Sequence, residues 1–359
     1  MRDEALQIRD DGSGMPWLCW HDQQLGVAEV QVPGHTAEIG ELHRRARAGL
    51  PPPGRYDELL PRDYWHPAAR LAKLAELGVD EAVLFPNYGL LWERALHGSL
   101  PALLANMAAW NRWCRVVAHE GRGRLHPVAH LTLRDPAWIE AQLGDLATAG
   151  VRLAMIAPAL VDGRPLSHPG HDRLWAAFCH HGISPVFHVA DQPRPFADAW
   201  YTDDREAFVP VVGTVFIHVA AALACTDLIL NGVLERFPDL RIGIVELSAV
   251  WVPLFLMMLD GASSFARQLN GGASVELPMQ PSDYFRRQIR VSSFAYELPM
   301  NIRQQLGGDN VLMCCSDYPH SEGTATPVAD YAAAGDFAVR PAEAPGLFRD
   351  NVAFLLRRV

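Results

Sequence analysis

Three apolar runs of this 359-residue chain end in side chains that an apolar run does not need: His188 in PVFHVAD, Glu246 in GIVELSAVW and Asp317 in MCCSDYPHSEG. An imidazole and two carboxylates are groups that exchange protons in water, and their nitrogen and oxygen atoms also suit a divalent cation. Each has a plainer reading. A lone histidine is more often a core residue satisfied by a backbone carbonyl, Asp317 could be a helix N-cap, and Glu246 could be the buried partner of an arginine. Asp317 is the hardest to dismiss, because a carboxylate that follows six apolar or small residues is costly to bury without a cation or strong donors.

From about residue 65 the chain alternates amphipathic helical stretches with short apolar runs, the pattern of βα units feeding a parallel sheet. HPAARLAKLAELG ends at Gly78 and leads into a strand at 79–86. Further strands are predicted at 124–133, 151–158, 184–191, 240–247, 288–294 and 310–320, with helix stops at Gly150 and Gly182 between them. Near-continuous apolar runs are expected of strands covered on both faces. In a (β/α)₈ TIM-like barrel, groups at the C-terminal strand ends converge on one mouth. Seven strands are countable and eight close the barrel, so the first strand is missing or replaced. Residues 1–64 are expected to be an N-terminal extension packed on a barrel domain of residues 65–359. In that extension LQIRD-DGSG-MPWLCW reads as a β-hairpin with an Asp-Gly turn, and PPPGRYDELLP as a loop.

Composition narrows the function. The formal net charge is −10 and no dense basic run is present, so nucleic acid is not an expected partner. The start, MRDEALQIRD, lacks an apolar core of signal-peptide length, and no stretch approaches the roughly 18 uninterrupted apolar residues of a membrane span. Six cysteines without CxxC or framework spacing read as reduced thiols. The expectation is a cytoplasmic protein, with no membrane partner, that acts on a small molecule.

The segments VFHVAD, GVLERFPDLRIGIVELSAVWVP and NVLMCCSDYPHSEG resemble the strand-five, strand-six and strand-eight signatures of amidohydrolase-related proteins. That family holds metal-dependent hydrolases and non-oxidative decarboxylases of the aminocarboxymuconate-semialdehyde type. Supporting stretches, from RLHPVAHLTLRDP to DNVAFLL, extend the resemblance over roughly residues 65–355. It implies that His188 is a metal ligand and that Asp317 binds metal and handles a proton. Glu246 stands where many relatives have a histidine. His320, in the loop after the last strand, could bind substrate, and His218 could look into the barrel mouth; a structural role fits either as well. Zn²⁺ or a similar ion on such ligands would lower the pKa of a bound water or polarise a carbonyl. The only lysine, Lys73, lies on a helix ahead of the second strand. No carboxylated lysine can therefore bridge two metals from strand four, and any site should be mononuclear.

The family's first strand carries an HxH pair, and this sequence contains none. The expectation is therefore weak metal binding, with His130 or His218 the first candidates to replace the lost ligands, His126 on the same face as His130, and His21, His35, His43 and His66 behind them. The leading function is a metal-assisted hydrolase or non-oxidative decarboxylase of a small carboxylated or carbonyl-bearing molecule. The alternatives are a metal-free lyase, isomerase or cyclase using Asp317, His320, His218 and Glu246, and a non-catalytic relative. A two-fold homodimer is expected. The segment VWVPLFLMML (250–259) could contribute to it, although burial under the barrel's own helices is the expected fate of most of it.

Overall fold

The computed structural model describes residues 4–29, 40–189, 194–202, 211–272, 275–320 and 323–358. Its N-terminal sheet is antiparallel, β1 (Gln7–Asp10), β2 (Pro16–Trp20) and β3 (Gln23–Val27) in that order. The hairpin of the sequence reading is therefore extended by a third strand. Asp11 builds the first turn by accepting from Ser13 N at 2.8 Å, Ser13 Oγ at 2.6 Å and Trp17 Nε1 at 2.8 Å. Those donors, the Ser13 and Trp17 side chains foremost, pull its carboxyl down to about 2. The sheet is fastened to the main body where Asn106 Oδ1 accepts from Leu6 N at 2.9 Å and where Leu6 and Trp20 pack beside Leu103 and Met107.

The main sheet has seven parallel strands in sequential order: β4 (Ala82–Leu84), β5 (Leu125–His130), β6 (Leu153–Met155), β7 (Ser184–His188), β8 (Ile242–Val245), β9 (Ile289–Ser293) and β10 (Leu312–Cys314). This curled sheet is consistent with a TIM-like barrel. Among the described residues no eighth strand joins β4 to β10, and each of these two is paired on one side only. Helices fill the crossovers, and their ends follow from local chemistry. Asp135 caps Pro136–Thr148 by accepting from Trp138 N at 3.0 Å, and Ser99 caps Leu100–Glu120. Pro67–Leu77 and Asp172–His181 end on Gly78 and Gly182, both in the left-handed conformation that glycine enters without strain.

The larger core lies between the sheet and its helices, around Trp175, Phe178, Phe187, Ile244 and Tyr284. A smaller one lines the inside of the curl with Val128, Leu153, Met155, Val186 and Met313, stoppered by Leu355 and Leu356 of the C-terminal segment. Ser184 Oγ donates to the Leu355 carbonyl at 2.7 Å, which ties that segment to the start of β7. At the same end of the sheet Arg358 Nη1 donates to Glu81 Oε2 at 2.6 Å and His126 Nε2 meets the same oxygen at 2.7 Å. The opposite end, where the strands finish, is left to the polar residues.

Candidate active site

Parallel register brings the polar strand ends together. His188 is the last residue of β7 and pairs with Val245, so Glu246, one residue beyond β8, lies beside it. The His188 ring is buried against Phe85, with ring centroids 4.4 Å apart. Its Nδ1 donates to the Val189 carbonyl at 3.1 Å, which turns Nε2 toward Glu246 Oε2, 3.0 Å away. Burial alone would raise the Glu246 carboxyl. The hydrogen bond and charge of His188, with the charge of His320, outweigh it and hold Glu246 below the usual carboxylate range.

Asp317 and His320 enter from the turn after β10. Asp317 Oδ1 is 3.2 Å from His320 Nδ1, and the His320 amide donates to the Asp317 carbonyl at 2.8 Å. Both carboxylate residues have left-handed backbones, with φ of 56° at Glu246 and 54° at Asp317. Non-glycine residues rarely hold that conformation outside over-determined sites. One ligand atom from each of Glu246, Asp317 and His320 falls within 4.8 Å of the others. A Zn²⁺-like ion bonds oxygen and nitrogen at about 2.0–2.2 Å, so two carboxylates and an imidazole at this spacing fit one mononuclear cation. His188 then touches the cluster through Glu246.

These four residues line one cavity of about 3050 Å³, which runs from the strand ends past Val83 and Met313. Phe216 and Ile217 also line it. His218 instead stacks on Trp251, with centroids 5.6 Å apart, and burial lowers its imidazole. His130 is fully buried, stacks on Trp92 at 5.8 Å, and stands apart from the cluster; its backbone is held on both sides by the Asn111 amide. His126 lies at the opposite strand ends with Glu81. His21 is 3.6 Å from Glu4, His66 is 3.4 Å from Arg62, and His43 lines the cavity wall away from the cluster group. His35 lies outside the described residues.

Several supports escape a reading of the sequence. Glu297 Oε1 accepts from Ser248 Oγ at 2.5 Å and Ala249 N at 3.2 Å, while its Oε2 accepts from Phe294 N at 2.9 Å. It thus pins the loop after β8 to the loop after β9. The only sequence trace is its place three residues after Phe294, the spacing at which a carboxylate reaches back to a turn's first amide. Ser292 Oγ accepts from Glu246 N at 3.0 Å, and the Tyr331 hydroxyl accepts from Cys315 N at 2.9 Å while donating to the Ser293 carbonyl.

The amidohydrolase family profile matches residues 35–358. The chain belongs to the amidohydrolase family. A search of curated proteins gave no match. Among solved structures it is similar to an amidohydrolase of Mycobacterium avium subsp. paratuberculosis, at 21% identity and a TM-score of 0.73 over 99% of this chain and 92% of the other. It is also similar to 5-carboxyvanillate decarboxylase of Novosphingobium aromaticivorans, solved with manganese, at 19% identity and TM-score 0.64 over 80% and 79% of the two chains. The 2,6-dihydroxybenzoate decarboxylase of Rhizobium follows at 14% and 0.59 over 80% and 87%. At these identities the likeness is one of fold. No described helix is long and apolar enough to cross a membrane.

Proposed function

We propose that this amidohydrolase-family protein is a metal-dependent carboxy-lyase that removes CO₂ from a small, hydroxylated aromatic or similarly unsaturated carboxylic acid. The observation that carries the reading is the convergence of Glu246, Asp317 and His320 at single-cation spacing, with His188 bonded to Glu246. The fold likeness to two decarboxylases supports carboxy-lyase over hydrolase. Glu246, Asp317 and His320 would hold the ion, which supplies charge to orient and polarise an anionic substrate.

The protein's own groups do the rest. Loss of CO₂ leaves an electron pair on the ring carbon, which must take a proton. The Asp317 Oδ1 and His320 Nδ1 pair, 3.2 Å apart, can hold that proton and pass it on. Phe85, packed against His188 and lining the cavity, offers an apolar wall against which a flat substrate can lie.

The test is direct. The purified chain, stripped and then reloaded separately with Mn²⁺ and Zn²⁺, is assayed for CO₂ release against a panel of hydroxylated aromatic carboxylates and, in parallel, for ester and amide hydrolysis. Metal-restored CO₂ release is expected; hydrolysis alone would overturn the carboxy-lyase reading. A second reading is favoured by one observation: both histidines already face carboxylates, as two proton-exchanging pairs that need no ion. Activity that survives chelation would select that metal-free lyase or isomerase chemistry.

A further inference from the structure

The short turn after β9, Ala295–Glu297, adds one more group to the cavity wall, Tyr296. Ile244 pairs with Val291, which puts Glu246 level with Ser293, so Tyr296 lies three residues beyond Glu246 on the neighbouring strand. At the rise of a 3₁₀ turn that is roughly 6 Å further toward the mouth, about the span of one substituted benzene ring. The Tyr296 ring lies on buried Phe294, with centroids 5.1 Å apart and planes 13° from parallel. Glu297, the next residue, bonds Ser248, Ala249 and Phe294, so the turn is held by the loops on both sides of it. One face of the ring is thereby covered and its position fixed, while the residue as a whole is 71% exposed.

Its hydroxyl sets it apart. Of the other tyrosines that line the cavity, Tyr318 donates to Asp63 and Tyr331 to the Ser293 carbonyl, and the hydroxyls of Tyr88 and Tyr201 are sealed from solvent. The Tyr296 hydroxyl makes no hydrogen bond to the described residues. Enclosure by the cavity walls, and after it Glu297, Cys315, Asp317 and Glu246, push that hydroxyl up to about 12. It therefore stays protonated at neutral pH, a neutral donor standing above two carboxylates that only accept.

We propose that Tyr296 is a specificity residue that reads a ring oxygen of the substrate. With the acid's carboxylate on the ion, the Tyr296 hydroxyl donates to an oxygen substituent at the meta or para position, the part of the ring that points toward the mouth. An ortho oxygen stays beside the carboxylate and out of its reach. The proposal rests on the reading of the site as one for hydroxylated aromatic acids, and it names the group that would tell such an acid from its deoxy analogue. One hydrogen bond at a partly exposed site is worth about 3–10-fold in affinity.

Calorimetric titration of the Mn²⁺-loaded chain with benzoate and with its ortho-, meta- and para-hydroxy derivatives tests the proposal. The meta or the para isomer is expected to bind about 3–10-fold more tightly than benzoate. In Tyr296→Phe that advantage is expected to vanish, while the affinities for benzoate, the ortho isomer and Mn²⁺ and the far-UV circular dichroism stay those of the wild type. An advantage that survives in Tyr296→Phe, or a wild-type chain that binds benzoate as tightly as both isomers, would overturn the proposal. So would a loss of Mn²⁺ affinity in Tyr296→Phe, which would make the tyrosine a support of the ligand set. The carboxy-lyase reading is judged separately, by CO₂ release: a Tyr296-dependent binding advantage without turnover sinks that reading alone, turnover without the advantage sinks this proposal alone, and a chain that binds none of the four acids sinks both.

Discussion

Holding Glu246 and Asp317 at φ of 56° and 54° costs on the order of 1–3 kcal/mol each, offset by what surrounds them. Both are thereby aimed into the cavity rather than along their strands. Asparagine tolerates this backbone as well as aspartate does, so Asp317→Asn separates chemistry from architecture. The expected outcome is a kcat lower by about 10²–10⁴-fold with a thermal midpoint little changed. A large fall in the midpoint instead would mark Asp317 as a structural cap. His188, Glu246 and Asp317 stand out in the sequence because each interrupts or ends an apolar run. The stacking of His218 on Trp251 does not, since its position at a helix start leaves the direction of its ring to tertiary packing. Glu297 was equally hidden, as its partners Ser248 and Ala249 lie almost fifty positions away in the chain.

The turn that carries Asp317 is an element in its own right. It closes when Thr324 N donates to the Ser316 carbonyl at 2.8 Å and Gly323 N to the His320 carbonyl at 3.0 Å. A Cβ at Gly323 would come within 2.5 Å of the Asp317 carbonyl oxygen and 2.6 Å of that of Ser316. These are backbone atoms and cannot swing aside. Gly323→Ala should therefore displace Asp317 and His320, with loss of most metal affinity in a titration monitored by calorimetry, while the far-UV spectrum stays that of the wild type. Full affinity in this variant would mean that the turn yields without moving its ligands. Among the elements at large, the seven parallel strands were legible because burial on both faces demands long apolar runs. Their ends were not, because the apolar run continues into the loops that approach the cavity. β3, QQLGV, was missed for the converse reason: it pairs through its backbone and shows no apolar alternation.

In the whole molecule the C-terminal segment holds the sheet at its far end through Arg358, Glu81 and His126. Burial raises the Glu81 carboxyl, but His126 and Arg358 together bring it below its ordinary 4.5; burial lowers His126 below 6.5 despite Glu81. Both shifts act with one sign. The unfolded chain binds the proton more readily in each case, so their stabilisation is present above about pH 6.5 and is lost as pH falls, first through His126 and then through Glu81. Glu81→Gln removes the group that opposes the His126 shift, so the Tm profile should steepen between neutral pH and about pH 5 and flatten below about pH 4.5, and an unchanged profile would exclude the clasp as its source. The parallel α/β architecture could be read from the sequence, but not which face of Val252–Asn270 meets water, since large apolar residues stand on both faces there. Nor did counting strands show what it entails that the sheet, among the described residues, has two margins. A ring of strands has nowhere to begin coming apart, whereas a ribbon can peel from either end. Deuterium uptake should accordingly run as a gradient, fastest in β4 and β10 and slowest in β6 to β8, with acid speeding the β4 margin because its fastening by Glu81, His126 and Arg358 loses stability as pH falls.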